Sequence, residues 1–485
     1  MRHSSRSGSY SAGSSDAGAM DPLHEAARRS PDAPAVLDGG GDALTYGGLE
    51  RRVGRMARRL RRSGLEPGDL VAVALPWSAD SVALLHAIWR IGGAVLPVNL
   101  AWTGREQRSG IAAAGGVARV IDSERAVAAL AGRAAADRRS RASGPAPGAP
   151  GGLAARVLTS GSTGTPRAVP VSHGNLGASA AAVTERLGLL PADRWLTSLS
   201  LAHIGGLAML HRAAVVGCAL VTERKFDAGR LACRISAGEI THAALVPVML
   251  SRLLDGHLSL APPPSLRCLL VGGAPLPASL LRRALERGLP VALTYGLTEA
   301  TSQVATMPPP RVMAKPGTVG RPLSGVEVRI QPVGPGRSGI GAGRDGEIWV
   351  RGPTVPRELC VDGWLRTGDL GRRDGEGDLW ITGRISERII TGGVTVSPAE
   401  VESVLLGHSA VREVAVFGVP DREWGERIVA LVVPENPARP PDLPTLLRHA
   451  SPRLAPAKRP REVRVAAAIP RTPTGKPDRT RLAGA

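Results

Sequence analysis

Lysine is nearly missing from this chain of 485 residues. Only Lys225, Lys315, Lys458 and Lys476 stand among its 61 Lys and Arg residues. Cysteine is scarce too: Cys218, Cys233, Cys268 and Cys360 are scattered, and no pair has metal-ligand or redox spacing. That excludes a disulfide scaffold and fits ordinary thiols in a reducing cytoplasm. No apolar run has the length and purity of a membrane span. The two best candidates, 81–100 and 199–221, are broken by Trp89-Arg90, by His203 and by His211-Arg212. The first residues carry no charged region followed by an apolar one, so no secretory leader is expected.

Arginine, alanine, glycine and proline are abundant instead, and the net charge is +19. Such a charge invites a nucleic-acid reading. The densest basic stretch, "RRVGRMARRLRRSG" (51–64), argues against it: Val53, Met56, Ala57 and Leu60 recur at helical spacing, so the arginines form the wet face of an amphipathic helix. No aromatic interleaving or recognition motif accompanies it, and no specific nucleic-acid partner is expected.

The length exceeds one ordinary hydrophobic core, so two or more domains are expected. Residues 1–20 are Ser/Gly-rich without apolar periodicity and read as a disordered leader, with Met20 a candidate start. From Asp21 onward apolar strands alternate with helical stretches, as in "LVAVAL" (70–75), "SVALLHAIWRIGGAVLPV" (81–98) and "VARVID" (117–122), which argues an α/β architecture. Residues 137–152 form a low-complexity Arg/Ser/Pro/Gly loop. The composition shifts near residue 384. Beyond it, "SPAEVESVLLGH" predicts a helix with Ser397 as cap, Pro398 in its first position and Glu400 closing a capping box. Two strands, "VREVAVFGVP" and "RIVALVVP", and a helix in "DLPTLLRHASPRL" follow. The expected division is a leader 1–20, a large domain 21–384 and a small C-terminal domain 385–485.

Five stretches carry chemistry. "LTSGSTGTPR" (158–167) places hydroxyls around two glycines after an apolar strand. Glycines let the backbone approach an anion, and amides and hydroxyls donate to it, which is the chemistry of a phosphate cradle. No Gly-Lys-Ser/Thr follows, so it is not a Walker A loop, and alone it serves equally as a surface turn. "TYGLTEA" (294–300) offers an aromatic, a hydroxyl and a carboxylate suited to a base, a phosphate and Mg²⁺. "WLRTGDLG" (364–371) sets Asp369 in a tight turn, where it could take two ribose hydroxyls. "GRISERIITGG" (383–393) sets Arg384 at the domain junction, with a glycine pair beyond. "PRTPTGKPDR" (470–479) keeps a lysine, Lys476, in a chain that otherwise avoids one; a compact ammonium differs from a guanidinium in reach and hydration.

Together and in this order, over almost the whole chain from Asp21, these stretches resemble the acyl-adenylate-forming superfamily of acyl- and aryl-CoA ligases, luciferases and adenylation domains. Within it, "LSLAHIGGLAMLHRAAVVGCAL" (199–220), "LLVGGAPLPASLL" (269–281), "YGLTEATSQVAT" (295–306) and "KPGTVGRPLSGVEVRI" (315–330) resemble the o-succinylbenzoate–CoA ligases of menaquinone biosynthesis. The resemblance implies a large N-terminal α/β domain of mixed sheets and helices with a small, mobile C-terminal α+β cap. It implies an acid–thiol ligase using ATP, Mg²⁺ and coenzyme A. A carboxylate attacks the α-phosphate, pyrophosphate leaves, and the CoA thiol then displaces AMP. The alternatives are a CoA ligase for another aryl or fatty acid, or a module loading a separate carrier protein. The oligomeric state is left open, a homodimer included.

The resemblance also implies roles. Thr159, Ser160, Gly161, Ser162, Thr163, Gly164 and Thr165 would wrap the β/γ-phosphates, with Arg167 and Ala168 replacing the usual Lys-Gly. Gly273, Ala274 and Pro275 would flank the adenine and Tyr295 would stack on it; Thr298 would meet the α-phosphate and Glu299 the Mg²⁺. Asp369 would bind the ribose with help from Arg384, and Lys476 would bridge the carboxylate and the α-phosphate. Gly392 and Gly393 would line the pantetheine tunnel after the cap rotates, with Glu387 at the hinge in place of the usual Asp. His203 would gate the acyl pocket or simply pack in its apolar run, and Ser302 and Gln303 would line that pocket; Arg212, in an apolar context, needs a route to solvent or an anionic partner, either a structural carboxylate or the second carboxylate of the acid.

Overall fold

The computed structural model describes residues 21–38, 43–131, 151–160, 166–256, 262–333, 345–471 and 477–482. Two largely parallel sheets dominate the N-terminal part. One has the order Ser302–Met307, Val291–Leu297, Cys268–Val271, His242–Leu245, Arg194–Leu196, Ala219–Val221, Pro34–Leu37, Ala43–Thr45. Its inner pairs are parallel, and only the two outermost pairs are antiparallel. The other runs Arg119–Ile121, Leu70–Val73, Ala94–Pro97, Leu153–Ser160, Pro166–Ser172, with the last pair antiparallel.

Strands buried on both faces read as continuous apolar runs, and "CLLV" (268–271) is buried at every position. Between the two sheets lies a helical layer that shares one core with both: Val71 and Val95 from one sheet and Ala244 and Leu270 from the other meet Leu207 and Leu210. Helix Ile204–Val216 belongs to this layer. It is apolar nearly all round and buried along most of its length, as a helix enclosed on every side must be. The outer face of the larger sheet is covered by helices Ala228–Ser236, Pro247–Leu254 and Ala278–Glu286, packed on Leu196, Leu245 and Leu293. The arginine-rich stretch forms helix Tyr46–Arg62, with Val53, Met56, Ala57 and Leu60 buried as the spacing predicts.

A four-stranded antiparallel sheet follows, ordered Glu327–Gln331, Gly346–Arg351, Leu365–Arg373, Leu379–Arg384. After a single turn, Ile385–Glu387, the chain builds a separate sheet from Val394–Val396, Ile389–Thr391, Gly425–Pro434, Val411–Asp421 and Glu462–Val465. Helices Pro398–Leu405 and Leu443–Ala450 pack on that sheet through Val401, Leu405 and Leu446. The helix at 398 forms with Ser397 as its cap, but the expected capping box does not. The Ser397 hydroxyl donates instead to the Thr382 carbonyl (2.7 Å), and Glu400 is taken by Lys458 Nζ at 2.6 and 2.8 Å. A charged partner within reach outcompetes the local backbone donor.

The leader 1–20 and residues 137–150 of the low-complexity loop lie outside the described residues. No helix among the described residues is long and apolar enough to cross a membrane. The cysteines carry free thiols.

Candidate active site

Several of the candidate residues lie beyond the ends of parallel strands. His203 caps helix Ile204–Val216 just beyond strand Arg194–Leu196; Gly273, Ala274 and Pro275 follow strand Cys268–Val271; Thr298 and Glu299 follow strand Val291–Leu297. In open α/β sheets, ligands bind outside the carboxyl ends of the strands, so one edge collects these segments from distant parts of the chain.

Asp369 is the best-defined member. It lies on strand Leu365–Arg373, directly opposite Arg384 on the next strand, and is 7% exposed. Arg384 Nε donates to Asp369 Oδ1 at 2.6 Å, and the Tyr295 hydroxyl donates to Oδ2 at 2.7 Å. A short chain of bonds fixes this position: Asp369 N donates to Thr367 Oγ1 (3.0 Å), and Thr367 Oγ1 donates to the Ile348 carbonyl (2.6 Å). Burial, reinforced by the Asp369 charge, pushes the Tyr295 phenol far above its ordinary range, so it stays a donor. Burial alone would lower the Arg384 pKa; Asp369, with Glu387 and Tyr295, more than offsets this, and the net shift is upward. The order of motifs in the sequence carries no sign of the Tyr295–Asp369 bond, because 74 residues separate the two. Thr367 was also silent, although its place two residues before Asp369 is the spacing of a hydroxyl accepting a local amide.

Gly272 and Gly296 make close approaches possible. A Cβ on Gly272 would stand 2.6 Å from Thr294 Cγ2, and one on Gly296 would overlap the Ser302 carbonyl. The second contact accompanies a bulge between Tyr295 and Gly296 and left-handed backbone at Thr301 (φ 51°) and Ser302 (φ 88°). This distortion accompanies the turn Thr298–Ala300, in which Thr298 and Glu299 are half-buried and Ala300 is buried. Gln303 is buried on the neighbouring strand. Its Oε1 accepts from Thr306 Oγ1 at 2.6 Å and lies 3.4 Å from Thr294 Oγ1.

Other expected members stand apart or lie outside the described residues. Strands Leu153–Ser160 and Pro166–Ser172 form a hairpin pairing Thr159 with Arg167, and Thr159 Oγ1 donates to the Arg167 carbonyl (3.3 Å). The hairpin tip, with Gly161, Ser162, Thr163, Gly164 and Thr165, is outside the described residues, and so is Lys476. Gly392 (φ 55°) and Gly393 (φ 77°) form the turn between strands Ile389–Thr391 and Val394–Val396; Gly392 N donates to the Trp424 carbonyl at 2.8 Å. Arg212 does not join the strand-end cluster. It lies nine residues beyond His203 on the same helix, about 13 Å along the axis at 1.5 Å per residue. Among the described residues no carboxylate lies within ion-pair distance of it; its guanidinium stands over the Trp195 ring, 5.6 Å from the centroid.

Among the described residues no group of three or more His, Cys, Asp or Glu side chains converges as a metal cage. A single half-buried carboxylate, Glu299, fits a Mg²⁺ ion that takes most of its ligands from nucleotide phosphates and water.

Comparison with known proteins identifies the family. Residues 23–359 match the AMP-binding enzyme family and residues 400–476 its C-terminal domain. The 2-succinylbenzoate–CoA ligase of Bacillus licheniformis is 33% identical over 491 residues, covering 95% of this chain and 98% of that one. A feruloyl-CoA synthase of Amycolatopsis sp. is 36% identical over 476 residues, covering 93% and 95%. Among solved structures, o-succinylbenzoate CoA synthetase (MenE) from Bacillus subtilis with its acyl-adenylate OSB-AMP superposes with a TM-score of 0.84 at 32% identity, covering 95% of this chain and 97% of that one. The same enzyme has also been solved with ATP and magnesium ion.

Proposed function

The chain belongs to the AMP-binding enzyme family, and from that premise we propose that it is an ATP-dependent, AMP-forming acid–CoA ligase that activates o-succinylbenzoate for menaquinone biosynthesis. Similarity to succinylbenzoate ligases over nearly the full length of both chains is the observation that carries this reading. ATP, Mg²⁺ and coenzyme A are its co-reactants. The enzyme works in the cytoplasm, where ATP and coenzyme A are at hand.

In the first half-reaction a carboxylate oxygen of the acid attacks the α-phosphorus. The bond to the bridging oxygen breaks, and pyrophosphate carries off the electron pair. Two anions must meet, so the chain's task is to offset charge and hold geometry. Lys476 and Thr298 are assigned to the reacting phosphate and carboxylate, Glu299 to Mg²⁺, and the hairpin tip with Arg167 to the β/γ-phosphates. Asp369 takes the ribose hydroxyls. Its two hydrogen-bonded neighbours, Tyr295 and Arg384, fix the carboxylate so that no reorganisation is needed as the nucleotide enters. The Tyr295 ring borders the adenine with Gly273, Ala274 and Pro275.

His203 stands at the mouth of the acyl pocket. Gln303, its carbonyl held by the Thr306 hydroxyl, is assigned with Ser302 to the lining of that pocket. In the second half-reaction the cap, residues 385–485, swings about Glu387 and brings the Gly392-Gly393 turn to the tunnel mouth. The CoA thiol loses its proton, its sulfur attacks the acyl carbon, and AMP leaves. The 36% identity to a feruloyl-CoA synthase favours a second reading, in which the acid is a cinnamate.

The test is mass-spectrometric detection of AMP, pyrophosphate and acyl-CoA from o-succinylbenzoate, ATP and CoA. All three form with the unmodified chain, and none forms with Lys476→Ala. Adenylation at full rate by Lys476→Ala overturns the mechanism.

A further inference from the structure

Asp369 owes its place to a break in the ladder between strands Gly346–Arg351 and Leu365–Arg373. Glu347 stands opposite Leu370, and Trp349 stands opposite Arg366. Between these pairs Ile348 alone faces Thr367, Gly368 and Asp369, a bulge wider than the usual single extra residue. Bulges re-aim side chains, and here the re-aimed side chain is Asp369. They also interrupt the ladder, so the amides within them need other acceptors. Thr367 Oγ1 accepts from Asp369 N at 3.0 Å. Glu347 Oε1 accepts from Gly368 N at 3.3 Å. Gly368 has φ 69°, left-handed backbone that glycine adopts without strain.

Glu347 is 6% exposed, and a buried carboxylate needs donors on both oxygens. Its Oε2 accepts from Trp349 Nε1 at 2.9 Å and from Arg366 Nη2 at 3.5 Å. The Arg366 guanidinium lies over the Trp349 ring, 5.4 Å from the centroid, so the two donors also touch each other. Trp349 and Arg366 are the pair that closes the bulge on one side, and Glu347 belongs to the pair that closes it on the other. One side chain thus ties the middle of the bulge to both of its ends. With both oxygens engaged and the side chain buried, its task is to hold backbone rather than to touch a ligand.

We propose that Glu347 is a positioning residue for nucleotide recognition: by holding the Gly368 amide it sets the bulge that presents Asp369 to the ribose. The proposal rests on the reading that Asp369 takes the ribose hydroxyls. Tyr295 and Arg384 hold the Asp369 carboxylate, and Thr367 and Glu347 hold the backbone that carries it. Without Glu347 the carboxylate keeps its side-chain partners but loses its fixed place, and hydrogen bonds to the ribose weaken steeply with misplacement.

The test is calorimetric titration of the full chain with Mg·ATP and with Mg·2′,3′-dideoxy-ATP, in the absence of acid and CoA. The unmodified chain should prefer ATP, and Asp369→Ala should abolish the preference. Glu347→Ala should weaken ATP roughly tenfold and the dideoxy nucleotide by no more than about twofold, so that the preference collapses there too. Glu347→Gln keeps an acceptor for Gly368 N but sets an NH₂ against the Trp349 and Arg366 donors, and its loss should be intermediate. This milder variant carries the test where Glu347→Ala does not fold. If Asp369→Ala loses the preference while the Glu347 variants weaken both nucleotides equally, or neither, the proposal is overturned and the ribose reading stands. If the unmodified chain shows no preference, both are overturned.

Discussion

Asp369 and Arg384 face each other across two antiparallel strands and are joined by an ion pair of 2.6 Å, with the Tyr295 hydroxyl closing the other side of the carboxylate. The two strands belong to the small antiparallel sheet, whereas Tyr295 comes from the end of the large one. The Tyr295–Asp369 hydrogen bond therefore joins the two sheets at the edge where the nucleotide is proposed to bind.

Graded losses follow from this arrangement. Tyr295→Phe removes one hydrogen bond to a carboxylate and should raise the ATP KM several-fold, an effect of about 1 kcal/mol. Asp369→Ala removes the ribose acceptor and leaves Arg384 without its partner; a rise of tenfold or more is expected, at about 1.5–3 kcal/mol for bonds to a charged group. ATP–pyrophosphate exchange measures both. Equal KM values for all three proteins would remove Asp369 from the nucleotide site.

Acid should unfold this protein through its buried histidines. Burial holds His86 at about 4 and His211 at about 3, and both rings pack edge-on to Trp89. In the unfolded chain they titrate near 6.5, so below that pH the unfolded state binds more protons. Stability is full above pH 6.5 and falls as pH drops toward 4 and below. Urea midpoints between pH 7 and 4.5 should decline, and His86→Phe should flatten the decline. An unchanged slope in that variant would contradict a neutral His86.

Lys315 should resist replacement by arginine. Its ammonium meets Asp374 (2.7 Å), Glu376 (3.2 Å) and Asp378 (2.9 Å), three carboxylates of one tight loop. A compact ammonium fits inside that ring, and a planar guanidinium does not. Lys315→Met should lower Tm, and Lys315→Arg should fail to restore it; recovery by arginine would show that only charge matters.

Gly392→Ala should separate the two half-reactions. The residue has φ 55°, and an added Cβ would stand 2.9 Å from Trp424 Cε3. Distortion of this turn should slow thioester formation and leave pyrophosphate exchange near its original rate. Equal losses in both steps would remove the Gly392-Gly393 turn from the tunnel.

The sequence was most informative where period and punctuation agree. The alternation from Asp21, the amphipathic 51–64 stretch and the break after Arg384 each correspond to elements of the structure. Candidate residues at strand ends were legible because such turns depend on short runs of Gly, Thr and acidic residues. Pairings across sheets were not. Nothing near Tyr295 marks Asp369 as the acceptor of its hydroxyl, and nothing near Glu400 marks Lys458, 58 residues away, as the rival that breaks the capping box. Arg212 shows the same limit: its apolar context called for an anionic partner or a route to solvent, and nothing near it in sequence marks the Trp195 ring that its guanidinium stands over.

Turnover across a panel of acids tests the central claim most directly. Pyrophosphate release and acyl-CoA formation are measured with o-succinylbenzoate, ferulate, benzoate and a medium-chain fatty acid. The account predicts the highest kcat/KM for o-succinylbenzoate, with CoA thioester as product. Efficient turnover of ferulate or another acid, with none of o-succinylbenzoate, would contradict it.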